Sequence, residues 1–191
     1  MIHRVTSNHR SFHPVEFTTG LNIILADRSE ASTEKDTRNG VGKSTLLEII
    51  NFCLGSRPAK GKGLLIEPLQ SWVFTVDITL RDNRVKVTRA VADHNRIVVE
   101  GPTDGWPEQP DQDEQTGERV YKAERWRTLL GWALFDLPHS SDQLPYRQSF
   151  RSLISYVVRL GPDAYASPFR HVRQQKTWDS QLHTAYVLWM N

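Results

Sequence analysis

Apolar and polar residues alternate through the middle of the chain, and this alternation predicts β-strands. It runs through residues 71–80, 84–91 and 96–100, which are rich in valine, isoleucine, threonine and aromatic residues. Such runs favour extended backbone with one buried face. Asp, Asn and His residues occupy the two short gaps between the runs and are typical of turns. The three runs are therefore expected to form an antiparallel meander.

The first part of the chain predicts two strands of an edge hairpin within residues 2–26, with a turn at residues 17–20. The second strand of this hairpin is the apolar run 21–25. Residues 27–36 follow it and are polar except for Ala31, so they cannot belong to a core. We expect a mobile surface insertion there, which is either an ordinary loop or a lid over the site described next.

Helical periodicity accounts for most of the remaining chain. Apolar residues recur at helical spacing in four segments, which are residues 46–50, 118–135, 150–160 and 177–190. Residues 101–117 are rich in Pro, Gly, Asp and Gln and predict a linker. The resulting division is a first part of about 1–66, the meander 71–100, the acidic linker 101–117 and a helical part 118–191. No glycine or proline ends the last helix, so the chain is expected to be a piece of a longer protein.

A glycine-punctuated loop lies between the predicted strand 21–25 and the first predicted helix. The loop and the helix start that follows consist of Asn39, Gly40, Val41, Gly42, Lys43, Ser44 and Thr45. The order strand, glycine loop and helix is that of a phosphate-binding loop, or P-loop, and predicts a nucleoside triphosphate site. Only the second half of the usual pattern is present, because Thr37 stands where its first glycine is expected. The alternative is a glycine-rich turn before an ordinary helix, with Lys43 in solvent.

Each residue type in this loop suits the chemistry. Gly40 and Gly42 allow the backbone to approach an anion closely, so that successive N–H groups point at the β- and γ-phosphates. The start of the helix adds further N–H groups and the positive end of the helix dipole. Lys43 is expected to bridge the β- and γ-phosphates and Ser44 to ligate Mg²⁺ through its hydroxyl. Thr45 is expected to contact the α-phosphate.

Composition excludes several other classes of protein. Of the 191 residues, 24% are charged and 38% are hydrophobic, and no apolar run approaches the roughly 20 residues of a membrane span. The first residues lack the apolar region of a secretory signal, so a cytoplasmic location is expected. Cys53 is the only cysteine, which excludes an internal disulfide and predicts a packing role.

The net charge of +2 is small but unevenly distributed. The acidic residues of segment 104–118, which has no basic residue, are Asp104, Glu108, Asp111, Asp113, Glu114 and Glu118. The basic residues of segment 140–176 are Arg147, Arg151, Arg159, Arg170, Arg173 and Lys176, against the two acids Asp142 and Asp163. The second segment is therefore a candidate surface for phosphate groups of a nucleic acid.

These elements, in this order, resemble the N-terminal half of the ABC-type ATPase heads of structural-maintenance-of-chromosomes (SMC), RecF and RecN proteins. The opening strand pair is similar at residues 7–12, 16–17 and 20–24. Residues 38–55 are closer to the coiled-coil DUF-type ATPases of bacterial ABC-three-component systems, which carry a polar insertion before the P-loop and are also similar at residues 149–156. The resemblance implies an α/β (α+β) P-loop lobe with a mixed sheet, an antiparallel meander and flanking helices.

The resemblance also implies a ligand set. ATP and Mg²⁺ are the expected cofactors, and Arg10 matches an arginine that often reaches the nucleotide in such heads. Gln148 is the candidate for the glutamine that senses Mg²⁺ and the γ-phosphate, with Gln174 and Gln175 as alternatives. A surface role is the competing interpretation for each of these glutamines.

Hydrolysis in ABC-type heads needs a Walker-B aspartate followed by a glutamate, together with a signature serine from a partner head. Asp77 and Asp136 follow apolar residues, but Ile78 and Leu137 stand where the glutamate is expected. We therefore predict that both aspartates belong to structural elements and that hydrolysis requires the missing lobe.

The resemblance implies that a coiled coil begins near residue 177. It also implies the binding partners of this chain. These are the rest of the head or a partner chain, a nucleotide-dependent dimer, and DNA in genome maintenance, DNA repair or anti-phage defence; no membrane partner is expected. Two other functions remain open at this point. One is a non-catalytic, nucleotide-gated interaction module. The other is a P-loop small-molecule kinase, which the antiparallel pattern disfavours because such kinases have parallel sheets.

Overall fold

The computed structural model describes residues 1–25, 43–57, 61, 63–139, 148–160 and 177–188. Its strands are β1 Ile2–Ser7, β2 Val15–Glu16, β3 Val73–Leu80, β4 Asn83–Ala90, β5 Arg96–Glu100, β6 Asp111–Gln112 and β7 Arg119–Lys122. Its helices are α1 Lys43–Cys53, α2 Ala123–Phe135, α3 Phe150–Val157 and α4 Thr177–Val187, with a 3₁₀ turn at Glu67–Leu69. The predicted insertion 27–36 and the loop residues 39–42 lie outside the described residues.

One seven-stranded sheet, in the order β2-β1-β3-β4-β5-β7-β6, organises the described part of the chain. The predicted meander is confirmed as β3, β4 and β5. All six strand pairings are antiparallel, so the expectation of a mixed sheet was wrong for these residues. The sheet is antiparallel because short turns join its central strands, and such turns cannot connect parallel neighbours.

The alternation of side chains along β3 and β4 gives the sheet one buried face. Phe74, Val76, Ile78 and Leu80 point into the core from β3. The residues between them in β3 are half-buried. Helices α1 and α2 cover the buried face, which is the usual arrangement when one face of an antiparallel sheet meets a core.

The segment 101–117, predicted as a linker, is folded against this core. Trp106 is buried beside Tyr121 and Trp126, with ring centroids 6.5 and 6.3 Å away. The Tyr121 hydroxyl donates a hydrogen bond of 2.7 Å to the carbonyl of Glu108. Polar composition therefore hid an ordered segment that is held by one tryptophan and by side-chain hydrogen bonds.

The second strand of the opening hairpin was placed wrongly. Residues 21–25 were predicted as that strand, but they carry no strand in the structure, and the short strand β2 at Val15–Glu16 pairs with β1 instead. Leu21 and Leu25 are 86% and 81% exposed. The described residues provide no neighbouring strand to pair with this segment, and an unpaired apolar run gains nothing from an extended conformation.

The predicted helices are present in the structure, but two of their boundaries differ, since α3 ends at Val157 and α2 begins late. Residues 118–135 were predicted as one helix, but the chain first forms β7 at Arg119–Lys122, where it pairs with β5, and α2 begins at Ala123. Helices α3 and α4 lie inside the predicted segments 150–160 and 177–190. Ser149 caps α3, because its hydroxyl accepts a hydrogen bond from the backbone N–H of Ser152 at 3.1 Å.

Candidate nucleotide-binding site

Helix α1 has one apolar face that fixes its orientation on the sheet. Its buried side chains recur at helical spacing and are Leu46, Ile49, Ile50, Phe52 and Cys53. The Phe52 ring meets the Phe74 ring edge-on, with centroids 6.4 Å apart. The helix therefore lies across β3 and β4 with its direction set by this contact face.

The N-terminal end of α1 is open to solvent. The helix begins at Lys43, inside the predicted motif, and Ser44 and Thr45 are exposed. The first four backbone N–H groups of a helix have no partner within the helix, and the dipole places positive charge there. The first turn of α1 thus carries two exposed hydroxyls, while the Lys43 side chain lies outside the described part of the structure.

The C-terminal end of α1 is held by a buried arginine. Arg89 of β4 is only 1% exposed, and its guanidinium donates hydrogen bonds to the carbonyls of Phe52, Ser56 (2.9 Å) and His94 (2.6 Å). It also lies over the Phe52 ring, 4.1 Å from the centroid. Burial lowers the pKa of Arg89 to about 10, so this cation stays charged at neutral pH.

Helix α2 packs against the same end of α1. The indole N–H of Trp126 donates a hydrogen bond of 3.0 Å to the carbonyl of Cys53. Gly55 has a positive φ of 81°, and a Cβ there would lie 2.9 Å from the side chain of Arg127. Glycine is therefore needed both for the turn that ends α1 and for the close approach of α2.

Sequence reasoning missed the part played by Arg89. The signal was available, because Arg89 continues the inward positions of Val85 and Val87 along β4. A cation at an inward-facing position needs several acceptors. Carbonyls at the end of a helix are suitable acceptors, since the helix leaves them without intrahelical partners.

The other predicted ligand residues lie in elements outside α1. Arg10 is exposed in the turn that follows β1, and Gln148 is half-buried immediately before the cap of α3. No hydrogen bond or ion pair joins either side chain to another described residue. Gln174 and Gln175 lie outside the described residues.

Asp77 and Asp136 each form an ion pair with an arginine. Asp77 lies in β3, and Arg84 donates hydrogen bonds of 3.0 and 2.7 Å to its carboxylate, which lowers the pKa of Asp77. Asp136 is the C-cap of α2, in the left-handed conformation, and pairs with Arg81. As predicted, Asp77 lies in a strand and Asp136 lies at the end of a helix.

Cys53 has the packing role that was predicted. The side chain is fully buried, and its sulfur lies 3.7 Å from the carbonyl oxygen of Phe74. Burial raises the pKa of the thiol from 9.0 to about 12. The thiol is therefore protonated at neutral pH and is a poor nucleophile.

Among the described residues, Ser44 is the candidate for a contact to Mg²⁺. Among the residues that the structure describes, no group of three His, Cys, Asp or Glu side chains is placed to hold a metal ion. Mg²⁺ commonly takes one or two protein oxygens and completes its shell with phosphate oxygens and water. The exposed Ser44 hydroxyl suits that limited role.

Comparisons with models of protein families, with curated proteins and with solved structures gave no match. The resemblance to SMC-like heads therefore rests on the residues quoted for it. Within the described ranges, no helix is both long enough and apolar enough to cross a membrane.

Proposed function

We propose that this chain is the ATP-binding lobe of a coiled-coil, SMC-like ABC ATPase. The observation that carries the proposal is the start of α1 at Lys43, within the Gly-Lys-Ser-Thr run, with Ser44 and Thr45 exposed. Lys43 supplies a charge to the β- and γ-phosphates, and the helix N–H groups hold their oxygens. Ser44 presents its hydroxyl to the accompanying Mg²⁺, whose chemical contribution is to neutralise phosphate charge.

The assignment to an ABC-type head draws support from the neighbourhood of α1. An antiparallel sheet packs beside the helix, in agreement with the expected meander of such a lobe. The exposed apolar side chains of residues 21–25 suit a segment that pairs with strands of another lobe. The proposed action on DNA, in genome maintenance or anti-phage defence, is based on the resemblance and on the uneven positive charge.

The chain is proposed to hydrolyse ATP only when a Walker-B and signature lobe completes the site. Asp77 and Asp136 are both engaged by arginines in structural ion pairs. Without a residue to position water, a phosphoryl-transfer site loses most of its catalytic power. We expect nucleotide binding without appreciable phosphate release, and restored hydrolysis on addition of the rest of the head.

A second function, the nucleotide-gated interaction module, is favoured by the same exposed segment. Leu21, Ile23 and Leu25 are each at least 70% exposed, and apolar residues clustered in this way typically mark an interaction surface. In this alternative, ATP alters binding of a partner and is not consumed. A P-loop small-molecule kinase is disfavoured because the sheet beside α1 is antiparallel in all its described pairings.

Calorimetry with ATP and Mg²⁺ tests the proposal. Lys43→Ala is expected to weaken binding by about 1.5–3 kcal/mol, because it removes a charge-assisted contact to phosphate. Lys86→Ala is the matched control, since Lys86 is an exposed lysine of β4 that lies opposite Asp77. Equal ATP affinity for the wild type and Lys43→Ala would refute the proposed site.

A further inference from the structure

A cavity of about 710 Å³ lies along the C-terminal half of α1. Asn51 and Phe52 of α1 form one wall, Arg127 of α2 forms another, and Arg151 at the start of α3 completes the site, with Arg57 after α1. This volume lies in the range of small-molecule binding sites. Asn51 follows Lys43 by eight residues, or about 12 Å along the helix axis. Of the described residues of α1 that line the cavity, Glu48 is the nearest in sequence to Lys43, five residues further along the helix.

Three arginines make the cavity basic. Arg127 and Arg151 are half-buried and Arg57 is exposed. Within the described ranges, no carboxylate forms an ion pair with any of them. Arg127 donates one hydrogen bond, of 3.2 Å, to the carbonyl of Gly55, and Arg151 donates one of 2.8 Å to Oδ1 of Asn51. Each guanidinium carries five N–H donors, and the described residues accept from only one donor of Arg127 and one of Arg151.

The positive charges in and behind the cavity repel one another. Burial lowers the pKa of Arg127 and of Arg151, and the charge of Arg57 lowers that of Arg127 further. Arg89 lies close enough for Arg127 and Arg151 to lower its pKa as well. Two carboxylates oppose them, Glu48 in the cavity wall and Glu124 near Arg127. Among the described residues, four cations against two anions leave an excess of positive charge that a bound anion would offset.

We propose that this cavity binds a small phosphorylated molecule. Phosphate matches the chemistry because guanidinium groups bind its oxygens in a bidentate manner, and half-buried arginines do so with less competition from water. Arg127 and Arg151 hold the phosphate, and Arg57 adds a third positive charge. The apolar side chains of Phe52 and Leu64, which also line the cavity, accept the rest of the molecule.

The shape of the site favours a small molecule over a nucleic acid or a protein segment. Non-specific nucleic-acid binding relies on a groove or a surface of solvated lysines and arginines that tracks the backbone. Here two of the three arginines are partly withdrawn from solvent between packed helices. An acidic peptide would also need acceptor partners for its backbone, whereas phosphate needs only donors.

The test is an NMR titration of the Lys43→Ala variant with pyrophosphate, which removes the lysine of the predicted phosphate loop from the experiment. We expect saturable shifts of the Gly55 and Ser56 amides and of the Arg127 and Arg151 side-chain N–H groups. Arg127→Gln and Arg151→Gln should each weaken binding at least about tenfold. Arg84→Gln should leave it unchanged, because Arg84 is a more exposed arginine paired with Asp77.

Two further variants separate binding from folding. Arg57→Gln changes an exposed side chain, so a loss of affinity without a change in thermal unfolding supports the site. Arg151→Lys keeps the charge but loses the bidentate geometry and should recover only part of the affinity. Absence of saturable shifts would overturn the proposal, as would equal affinity in all arginine variants. Binding of an oligoglutamate or of duplex DNA with no binding of pyrophosphate would overturn it too.

This outcome is independent of the proposed nucleotide site. Pyrophosphate binding that survives in Lys43→Ala and is lost in Arg151→Gln belongs to the cavity. If ATP binding proves insensitive to Lys43→Ala while the cavity arginines still bind pyrophosphate, the P-loop proposal fails and the cavity proposal stands.

Discussion

The two ends of helix α1 are built in opposite ways. Its C-terminal end is buried and anchored, since Arg89 donates hydrogen bonds to the Phe52 and Ser56 carbonyls and Trp126 donates one to the Cys53 carbonyl. Its N-terminal end presents Ser44 and Thr45 to solvent. One end of the helix is thus fixed by the core, whereas the first turn at the other end has exposed side chains.

This difference suggests how a short helix can serve as a phosphate-binding element. N–H groups bind an anion well only if their direction is fixed before the ligand arrives, because ordering them on binding costs free energy. The anchors at the C-terminal end, together with the apolar face of α1, supply that fixed direction. Substitutions at the anchored end should therefore lower stability, whereas substitutions at the open end should lower nucleotide affinity.

The largest loss of stability is expected for a substitution at the anchored end of α1. Phe52→Ala should lower the free energy of unfolding by about 3–5 kcal/mol, because it removes a buried ring and leaves a cavity. Denaturation by urea measures this loss. Ser44→Ala, in the same helix but exposed at its start, is the control and should change stability by less than about 0.5 kcal/mol. Similar losses for both variants would show that the two ends do not differ.

A smaller effect is expected for the buried arginine. Arg89→Leu should cost about 2–3 kcal/mol, because the carbonyls of Phe52, Ser56 and His94 lose their charged donor. Thermal or urea unfolding measures it. Arg84→Leu, which alters the more exposed pair with Asp77, should lower stability much less than Arg89→Leu, because water screens an exposed ion pair. A stable Arg89→Leu variant would mean that α1 is held by its apolar face alone.

Much of the anchored end could be predicted from the sequence, but its polar contacts could not. Periodicity placed α1, the meander and the later helices, because burial of one face imposes a regular spacing on the apolar residues. Packing of Cys53 followed from its place at the end of an apolar helix. The alternation along β4 marks Arg89 as an inward position, but the sequence does not show which backbone carbonyls accept its hydrogen bonds.

The prediction of a strand at residues 21–25 was wrong for a different reason. Its composition favours a strand, but a strand forms only where a neighbour can pair with it, and pairing is decided by the rest of the fold.

The ordered structure of segment 101–117 was missed because Trp106 alone carries much of its burial, and a single aromatic residue produces no periodicity. The basic cavity was also missed, since Arg57, Arg127 and Arg151 are far apart in the chain and meet only after α1, α2 and α3 pack together.

The smallest effect concerns Cys53 and appears only at alkaline pH. The pKa of the thiol rises from 9.0 in the unfolded chain to about 12 in the folded one, so its contribution to stability is complete below pH 9 and falls as the pH rises toward 12. Wild type should lose stability relative to Cys53→Ala across that interval. Urea unfolding at pH 8 and pH 10.5 measures the difference.

Alkylation of the thiol is a second test of the burial of Cys53. At pH 8 the native thiol should react with iodoacetamide far more slowly than the unfolded thiol, because the reactive species is the thiolate. Rapid alkylation of the native protein, or an identical pH dependence for wild type and Cys53→Ala, would show that the anchored end opens readily.

The most direct test of the difference between the two ends of α1 follows the backbone amides of this helix by NMR while ATP and Mg²⁺ are added. If the open end receives the phosphates, the Ser44 and Thr45 amides should shift strongly and saturably. The amides of Ile49, Ile50 and Cys53, on the buried face, should move little, and Lys43→Ala should weaken the response. Unchanged Ser44 and Thr45 amides at an ATP concentration that saturates binding in calorimetry would contradict the account.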